Sequence, residues 1–374
     1  MKTKSARNAS SFHNTRGRTM QAIFVCIATL LAMNISLAAN YPTPQEGDFV
    51  IRDFQFKSGE VLPELKLHYA TIGTPVRDQA GIVRNAVLLL HGTTGSRQFF
   101  LRPQFTDVLF GPGQPLDATR HFIILPDSIG HGKSSKPSDG LRARFPRYNF
   151  EDMVVAQYRL LTEHLGINHL RLVMGGSMGG SHTWMWGTKY ADFMDAIVPL
   201  ATLPVEIAGQ NRMWRRLLID AVRNDPAWKN GDYTSPPSGM VSACQILFIM
   251  VRSRLVLQTQ APTTVAADQM LDKAVQGMVA QLDANDFLYQ FESMRDYNPE
   301  PDLEKIQARV LAINFADDQE SPPELGILEA AMKRIKRGQA VIVPASDKTL
   351  GHVTFTVPQL WKQHLAELMA GLTP

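Results

Sequence analysis

One segment, Val173-Met-Gly-Gly-Ser-Met-Gly-Gly-Ser181, constrains the fold more than any other part of this chain. It runs on from a short apolar stretch, Leu170-Arg-Leu-Val-Met174, and opens a helical one, so Gly175-x-Ser177-x-Gly179 falls at a strand-to-helix junction. A serine on so sharp a turn sits in strained geometry, and neighbours carrying a Cβ would collide, which accounts for the flanking glycines. The helix that follows points its N-terminus, and the amide of Met178, at an oxyanion forming on a substrate. Two other readings fail on single positions. A dinucleotide-binding G-x-G-x-x-G starting at Gly175 needs glycine where Ser177 stands, and a phosphate loop ending in Gly132-Lys133-Ser134 needs glycine where the chain has Asp127. A chance glycine-rich turn fits the strand-turn-helix setting poorly.

The rest of the sequence supplies the sheet this junction requires. Phe49-Val-Ile-Arg-Asp-Phe-Gln-Phe56 and Leu65-Lys-Leu-His-Tyr-Ala-Thr-Ile72 alternate as a half-buried antiparallel pair. Short continuous apolar runs follow, Ala86-Val-Leu-Leu-Leu90, Phe122-Ile-Ile-Leu125, Ala196-Ile-Val-Pro-Leu200, Val310-Leu-Ala-Ile313 and Ala340-Val-Ile-Val343, as strands buried on both faces would. Helical periodicity recurs between them, for example over 152–165, 324–337 and 358–372. Together these predict a mostly parallel sheet flanked by helices. Between about 203 and 301 the alternation stops. That stretch reads as helices broken by Pro226, Pro236, Pro237 and Pro262, an inserted helical lid between an N-terminal core part, 39–202, and a C-terminal one, 302–374.

A nucleophilic serine needs a histidine base within reach and a carboxylate to orient it, and in this kind of sheet they come in the order Ser, Asp, His. Of ten histidines, His352 follows the last buried strand and lies in a loop. His164 and His169 flank a helix end and read as solvated, and His182 reads as a packing residue. The run Val310–313 ends in Asn314-Phe-Ala-Asp317-Asp318, and by position either acid serves. A second oxyanion donor is expected from the loop His91-Gly92-Thr93-Thr94-Gly95, through the backbone amide of Thr93. The glycine-rich loop 125–135 is assigned no chemistry.

Charge and cysteine content bound the setting. The net charge is +3, but residues 1–38 carry Lys2, Lys4, Arg7, Arg16 and Arg18 and no acid, which leaves −2 for the rest (+3 less +5). A slightly acidic body offers no footprint for nucleic acid. The basic start, the apolar run Ala22-Ile-Phe-Val-Cys-Ile-Ala-Thr-Leu-Leu-Ala-Met33 and the small residues of Ser36-Leu37-Ala38 have the layout of a signal peptide over 1–38, implying export to the periplasm or beyond. An uncleaved anchor is the alternative, but the apolar run falls short of the roughly 20 residues a spanning helix needs. Past the leader only Cys244 remains, in an apolar run that suits a buried structural thiol.

These motifs, in this order, resemble the homoserine O-acetyltransferase-like branch of the α/β-hydrolases. The likeness covers most of the chain from about residue 45 and includes Phe145-Pro-Arg-Tyr-Asn-Phe-Glu-Asp152-Met-Val-Val-Ala-Gln157, Gly175-Gly-Ser-Met-Gly-Gly180 and Asp225-Pro-Ala-Trp228-Lys-Asn-Gly231-Asp-Tyr233. The resemblance implies an α/β-hydrolase fold, with Ser177 as nucleophile, His352 as base and Thr93 in the oxyanion loop. In that family a pair of prolines follows the triad acid four and five residues on, so Pro322-Pro323 select Asp318 over Asp317.

Two departures bear on the acceptor. The acetyltransferases commonly carry an aspartate directly after the histidine, near the substrate amine, where this chain has Val353; Arg215 and Arg216 remain as partners for a carboxylate. Acetyl-CoA is a cytoplasmic donor out of reach of an exported enzyme. The expectation is therefore a secreted serine hydrolase that cleaves a small-molecule carboxylic ester without cofactor or metal, with no nucleic-acid partner and no membrane span once the leader is removed. The same residues would serve an O-acyltransferase, and a silent binding module would have been free to lose them. Trp214, Trp228 and Tyr233 are expected at an apolar pocket mouth, and the sequence leaves room for a homodimer.

Overall fold

A computed structural model describes residues 41–372. The leader expected over 1–38 lies outside the described residues. Eight strands form one sheet: β1 Gln45–Gln55, β2 Val61–Ile72, β3 Ala86–Leu90, β4 Phe122–Pro126, β5 Leu170–Gly176, β6 Met194–Leu200, β7 Arg309–Phe315 and β8 Gly338–Val343. Their spatial order is β1-β2-β4-β3-β5-β6-β7-β8, with the β1–β2 and β2–β4 pairings antiparallel and every pairing from β4 to β8 parallel. The continuous apolar runs from β3 to β7 are the interior parallel strands, but Ala340-Val-Ile-Val343, expected to be buried on both faces, is the edge strand β8, where only Val343 is buried and Ile342 is exposed because no strand covers that side. All five residues of β3 and all five of β4 are buried, and alternate residues serve opposite faces: Val87 and Leu89 join one apolar cluster, Ala86, Leu88 and Leu90 the other.

In chain order the helices are α1 Pro103–Leu109, α2 Phe150–Arg159, α3 Met178–Lys189, α4 Gly209–Arg223, α5 Gly239–Met250, α6 Arg254–Gln260, α7 Thr264–Val279, α8 Ala284–Glu292, α9 Ile327–Met332 and α10 Lys362–Ala370. The helix expected over 152–165 starts two residues earlier, because Asn149 and Asp152 form a reciprocal capping box, and it widens into a π turn at Leu160–His164. The helix expected over 324–337 shrinks to α9. Gly326 adopts a left-handed φ of 66° and separates a 3-10 turn, Pro323–Leu325, from the helix proper. Among the described residues no single helix is long and apolar enough to cross a membrane; α5 and α6 pass jointly on length and composition but meet at a bend of 105°.

The stretch between β6 and β7 holds α4 to α8. It does not build a separate core. Leu218, Ile219 and Val222 of α4, Met240 and Cys244 of α5, and Phe287 and Phe291 of α8 share one buried cluster with Ile51, Phe54, Leu65 and Leu67 of the antiparallel strands and with Phe150 and Met153 of α2.

One of the closest approaches in the fold is backbone against backbone. A Cβ on Gly179, in the first turn of α3, would lie 2.0 Å from the carbonyl oxygen of Leu90 at the end of β3. Gly277, on the exposed face of α7, meets nothing within 4 Å. Two single substitutions should therefore move stability in opposite directions. Gly179→Ala is expected to cost about 1–3 kcal/mol or more because the backbone must shift, and Gly277→Ala to add about 0.5–1 kcal/mol through helix propensity. Urea unfolding of both variants checks this; equal effects would contradict the packing at the junction.

Candidate active site

Ser177 caps the N-terminus of α3 with φ 55° and ψ −118°, a conformation a residue with a side chain rarely adopts. The surroundings hold it there: its amide donates to the carbonyl of Leu200 at 2.9 Å, and its carbonyl accepts from the amide of Ser181 at 2.9 Å. Met178, the first residue of α3, is buried, and its amide belongs to the helix end whose N–H groups have no partner within the helix.

His352 lies on a 3-10 turn, Gly351–Thr356, beyond β8. Its Nε2 is 2.8 Å from Ser177 Oγ, and its Nδ1 lies 2.9 Å and 3.1 Å from the two carboxylate oxygens of Asp318. Asp318 is buried after β7 and also accepts from the amides of Glu320 and Ser321. The structure thus brings Ser177, His352 and Asp318 into one hydrogen-bonded line. Asp317 turns away and accepts from the Thr349 hydroxyl at 2.9 Å and the Gly351 amide at 3.2 Å, tethering the loop that carries the histidine.

Thr93 and Met178 both line the cavity into which Ser177 opens. Buried groups pin the loop carrying Thr93. The His91 ring donates from Nδ1 to the carbonyl of Gly92 and accepts the Ser128 amide on Nε2. Four residues beyond Thr93, Arg97 is buried: its amide and guanidinium both donate to Asp127, and Glu46 binds the guanidinium from the other side. Asp127 lies in the glycine-rich loop 125–135, expected to carry no chemistry, and serves there as an anchor.

The cavity encloses about 680 Å³. One wall is apolar, with Leu203, Val205, Ile207 and Met294. Trp214, Trp228 and Tyr233 do not line it. They pack half-buried against the large core cluster, where Trp228 donates to Asn285 and Tyr233 to Asp283, so the expectation that these three aromatics form the pocket mouth is corrected. Arg216 is exposed and pairs with Asp220 one turn on, away from the cavity. Arg215 is buried and lines it, but its Nη2 is 2.7 Å from Glu320, so the guanidinium is already matched. Val353, which follows the histidine, stands outside the lining. Cys244 is buried as expected, and burial pushes its thiol up to about 11, which leaves it inert. Of the two helix-end histidines, His164 stacks on Phe49 and accepts from the Tyr69 hydroxyl, while His169 pairs with Asp195.

Glu320 is the site residue that sequence reasoning missed. Its carboxylate is buried, one oxygen on Arg215 and the other 3.5 Å from His352 Nε2. Burial raises its pKa above the usual carboxylate value, against the pull of His352 and Arg215. For His352, burial alone would lower the pKa, but the Asp318 and Glu320 carboxylates outweigh it and push it up to about 9. The only signal in the sequence was a second acid two residues past Asp318.

The comparisons with known proteins agree with this geometry. Residues 85–237 match the family described as alpha/beta hydrolase fold. The homoserine O-acetyltransferase of Pelobacter propionicus is 31% identical over 349 residues, spanning 83% of this chain and 92% of that protein. Among solved structures, the homoserine O-acetyltransferase from Bacillus anthracis superposes with a TM-score of 0.77 at 20% identity, covering 88% of this chain and 99% of that one. An acetylester hydrolase from Corynebacterium glutamicum superposes with a TM-score of 0.76 at 22% identity, covering 87% and 96%. Sequence likeness over nearly the whole length of such a relative, on a sheet of this order, establishes that the chain belongs to the homoserine O-acetyltransferase-like branch of the α/β-hydrolase superfamily, a group of hydrolase and acyltransferase enzymes.

Proposed function

We propose that this protein is a serine hydrolase that cleaves a carboxylic ester through an acyl-enzyme on Ser177. The observation that carries the reading is the line Ser177–His352–Asp318 opening into a cavity with one apolar wall. Neutral His352 takes the Ser177 proton on Nε2 as Oγ attacks the ester carbonyl, while Asp318 accepts from Nδ1–H and holds the ring in that tautomer. The amides of Thr93 and Met178 receive the oxyanion. Collapse of the tetrahedral intermediate breaks the ester C–O bond, and His352 returns its proton to the departing alkoxide. Water, activated by the same ring, then releases the acid.

Water as acceptor is favoured by the state of the residues expected to hold a charged one. Arg215 is paired with Glu320, Arg216 points elsewhere, and Val353 supplies no carboxylate. The leader read in residues 1–38 adds that the enzyme works outside the cytoplasm, away from acyl-CoA. The second reading is O-acyl transfer by the same steps with an alcohol in place of water, and the relative named homoserine O-acetyltransferase favours it.

Three outcomes test the reading. A fluorophosphonate probe should label Ser177, and Ser177→Ala should reduce hydrolysis of p-nitrophenyl esters to the level of binding and oxyanion effects alone; labelling of another serine, or O-acetylhomoserine formed from acetyl-CoA and homoserine faster than the esters are hydrolysed, would sink it. Asp318→Asn should lower kcat by about three orders of magnitude by stabilising the wrong tautomer. Asp317→Asn should stay within about tenfold, since an amide oxygen still accepts from Thr349 and Gly351; equal losses would mean the wrong acid was chosen.

The pH profile is the third. The base must be neutral, and two carboxylates hold its proton, so kcat/KM should rise with pH on an acid limb whose midpoint lies above the ordinary histidine value of 6.5. A midpoint at or below that value would show that Glu320 and Asp318 do not act on the ring as described.

A further inference from the structure

One ion pair in the cavity wall takes no part in the steps above and yet borders them. Arg215, from the inserted helix α4, and Glu320, from the loop after β7, are both buried and 2.7 Å apart. Asn211, one turn earlier on α4, accepts from Arg215 Nε at 2.6 Å and donates to the backbone carbonyl of Glu320 at 3.0 Å. A buried ion pair is seldom worth more to stability than apolar residues of the same shape, so packing alone gives little reason for one here. Two features point to a ligand instead. The second guanidinium nitrogen, Nη1, is buried without a partner on a residue that lines the cavity. The free oxygen of Glu320 stands 3.5 Å from His352 Nε2, the atom that hands a proton to the departing alkoxide, so the pair borders the alcohol half of an ester rather than its acyl half.

We propose that Glu320 sets the charge selectivity of the alcohol side of the cavity: by neutralising Arg215 and holding a negative charge beside His352, it admits esters of uncharged alcohols and turns away those that carry a carboxylate. This rests on the acyl-enzyme reading above. A carboxylate approaching Nη1 would meet a guanidinium whose charge is already matched and a second carboxylate next to it. A neutral oxygen on the alcohol, such as a hydroxyl or an ether, meets only the unpartnered Nη1–H, which it satisfies without burying a further charge. The remaining charged lining residues do not offset this: Glu206 and Glu300 are acidic, and Arg334 binds Glu300 and Glu304.

The test compares two acetate esters of equal length, that of butanol and that of γ-hydroxybutyrate, which differ by a methyl group against a carboxylate. The wild-type enzyme should prefer the butyl ester in kcat/KM by about tenfold or more. Glu320→Gln, which keeps the shape but frees the charge of Arg215, should shift the ratio towards the anionic ester by about tenfold or more, chiefly through KM, and adding Arg215→Met should abolish that gain. A ratio unchanged in Glu320→Gln overturns the proposal, as does a gain that survives Arg215→Met. Equal use of the two esters by wild type overturns it even where the variant fails to fold. Hydrolysis of neither ester, with Ser177 unlabelled by fluorophosphonate, would remove the acyl-enzyme reading itself; hydrolysis of both at equal rates would remove only the role given to Glu320.

Discussion

The site depends on how closely the start of α3 can approach the end of β3. Gly179 lies against the carbonyl of Leu90 at a distance that leaves no room for a Cβ, and the Ser177 amide reaches the carbonyl of Leu200 on the next strand. These contacts drive the turn at Ser177 into its strained φ and fix Oγ above the carboxyl ends of the parallel strands. In open parallel sheets the crevice at those ends is where ligands bind. Here β4 and β5 flank β3, and the loops leaving β3, β5 and β7 converge there with Thr93, Ser177 and Asp318. The strain is of order 1–3 kcal/mol and persists because the surrounding backbone over-determines it.

The inserted helices brace this arrangement as well as covering it. The junction between α5 and α6 is stitched to the histidine loop: Ser253 donates to the carbonyl of Leu350, Val353 to that of Val251, and a Cβ on Gly351 would strike the backbone of Arg252 and Ser253. Gln319, next to Asp318, donates to the carbonyl of Arg252 at 2.7 Å. Asn211 and Arg215 add a second attachment through Glu320. Both loops that carry the partners of Ser177 therefore lean on the insertion. A segment that shares a hydrophobic core with the antiparallel strands and holds the imidazole in place is coupled to the chemistry through position as well as through access.

Much of this was legible in the sequence. The strands were legible because burial on both faces leaves long apolar runs, and the junction because only glycines fit around Ser177. His352 was marked by its place after the last strand. The choice of Asp318 needed more than local pattern, since Asp317 occupies an equivalent position and differs only in the direction its side chain leaves the chain; the proline register supplied that. Helix ends were misjudged where one residue decided them, the left-handed Gly326 and the capping pair Asn149 and Asp152. The aromatic residues of the insertion were placed at the pocket because apolar character was visible and direction was not. Glu320 and Arg215 lie 105 residues apart in the chain, and their pairing exists only once α4 is packed over the β7 loop.

Four histidines stand buried around the site, and the same physics leaves them in different states. His91 and His131 pack ring against ring with centroids 5.0 Å apart, and His182 lies edge-on to Phe150. Burial lowers the pKa of all three, that of His182 to about 3. They stay neutral, with His91 using its two ring nitrogens to fix the loop that carries Thr93. His352 is as deeply buried, but it faces Asp318 on one nitrogen and has Glu320 near the other, and the two carboxylates reverse the sign of the shift. A ring kept neutral by its surroundings can anchor a loop but is a poor proton acceptor. A ring whose surroundings favour the cation can take a proton from Ser177 and stabilise the charge that results. The difference lies in the neighbours each ring meets: Asp127 pulls His91 upward too weakly to offset burial, whereas the two carboxylates facing His352 outweigh it.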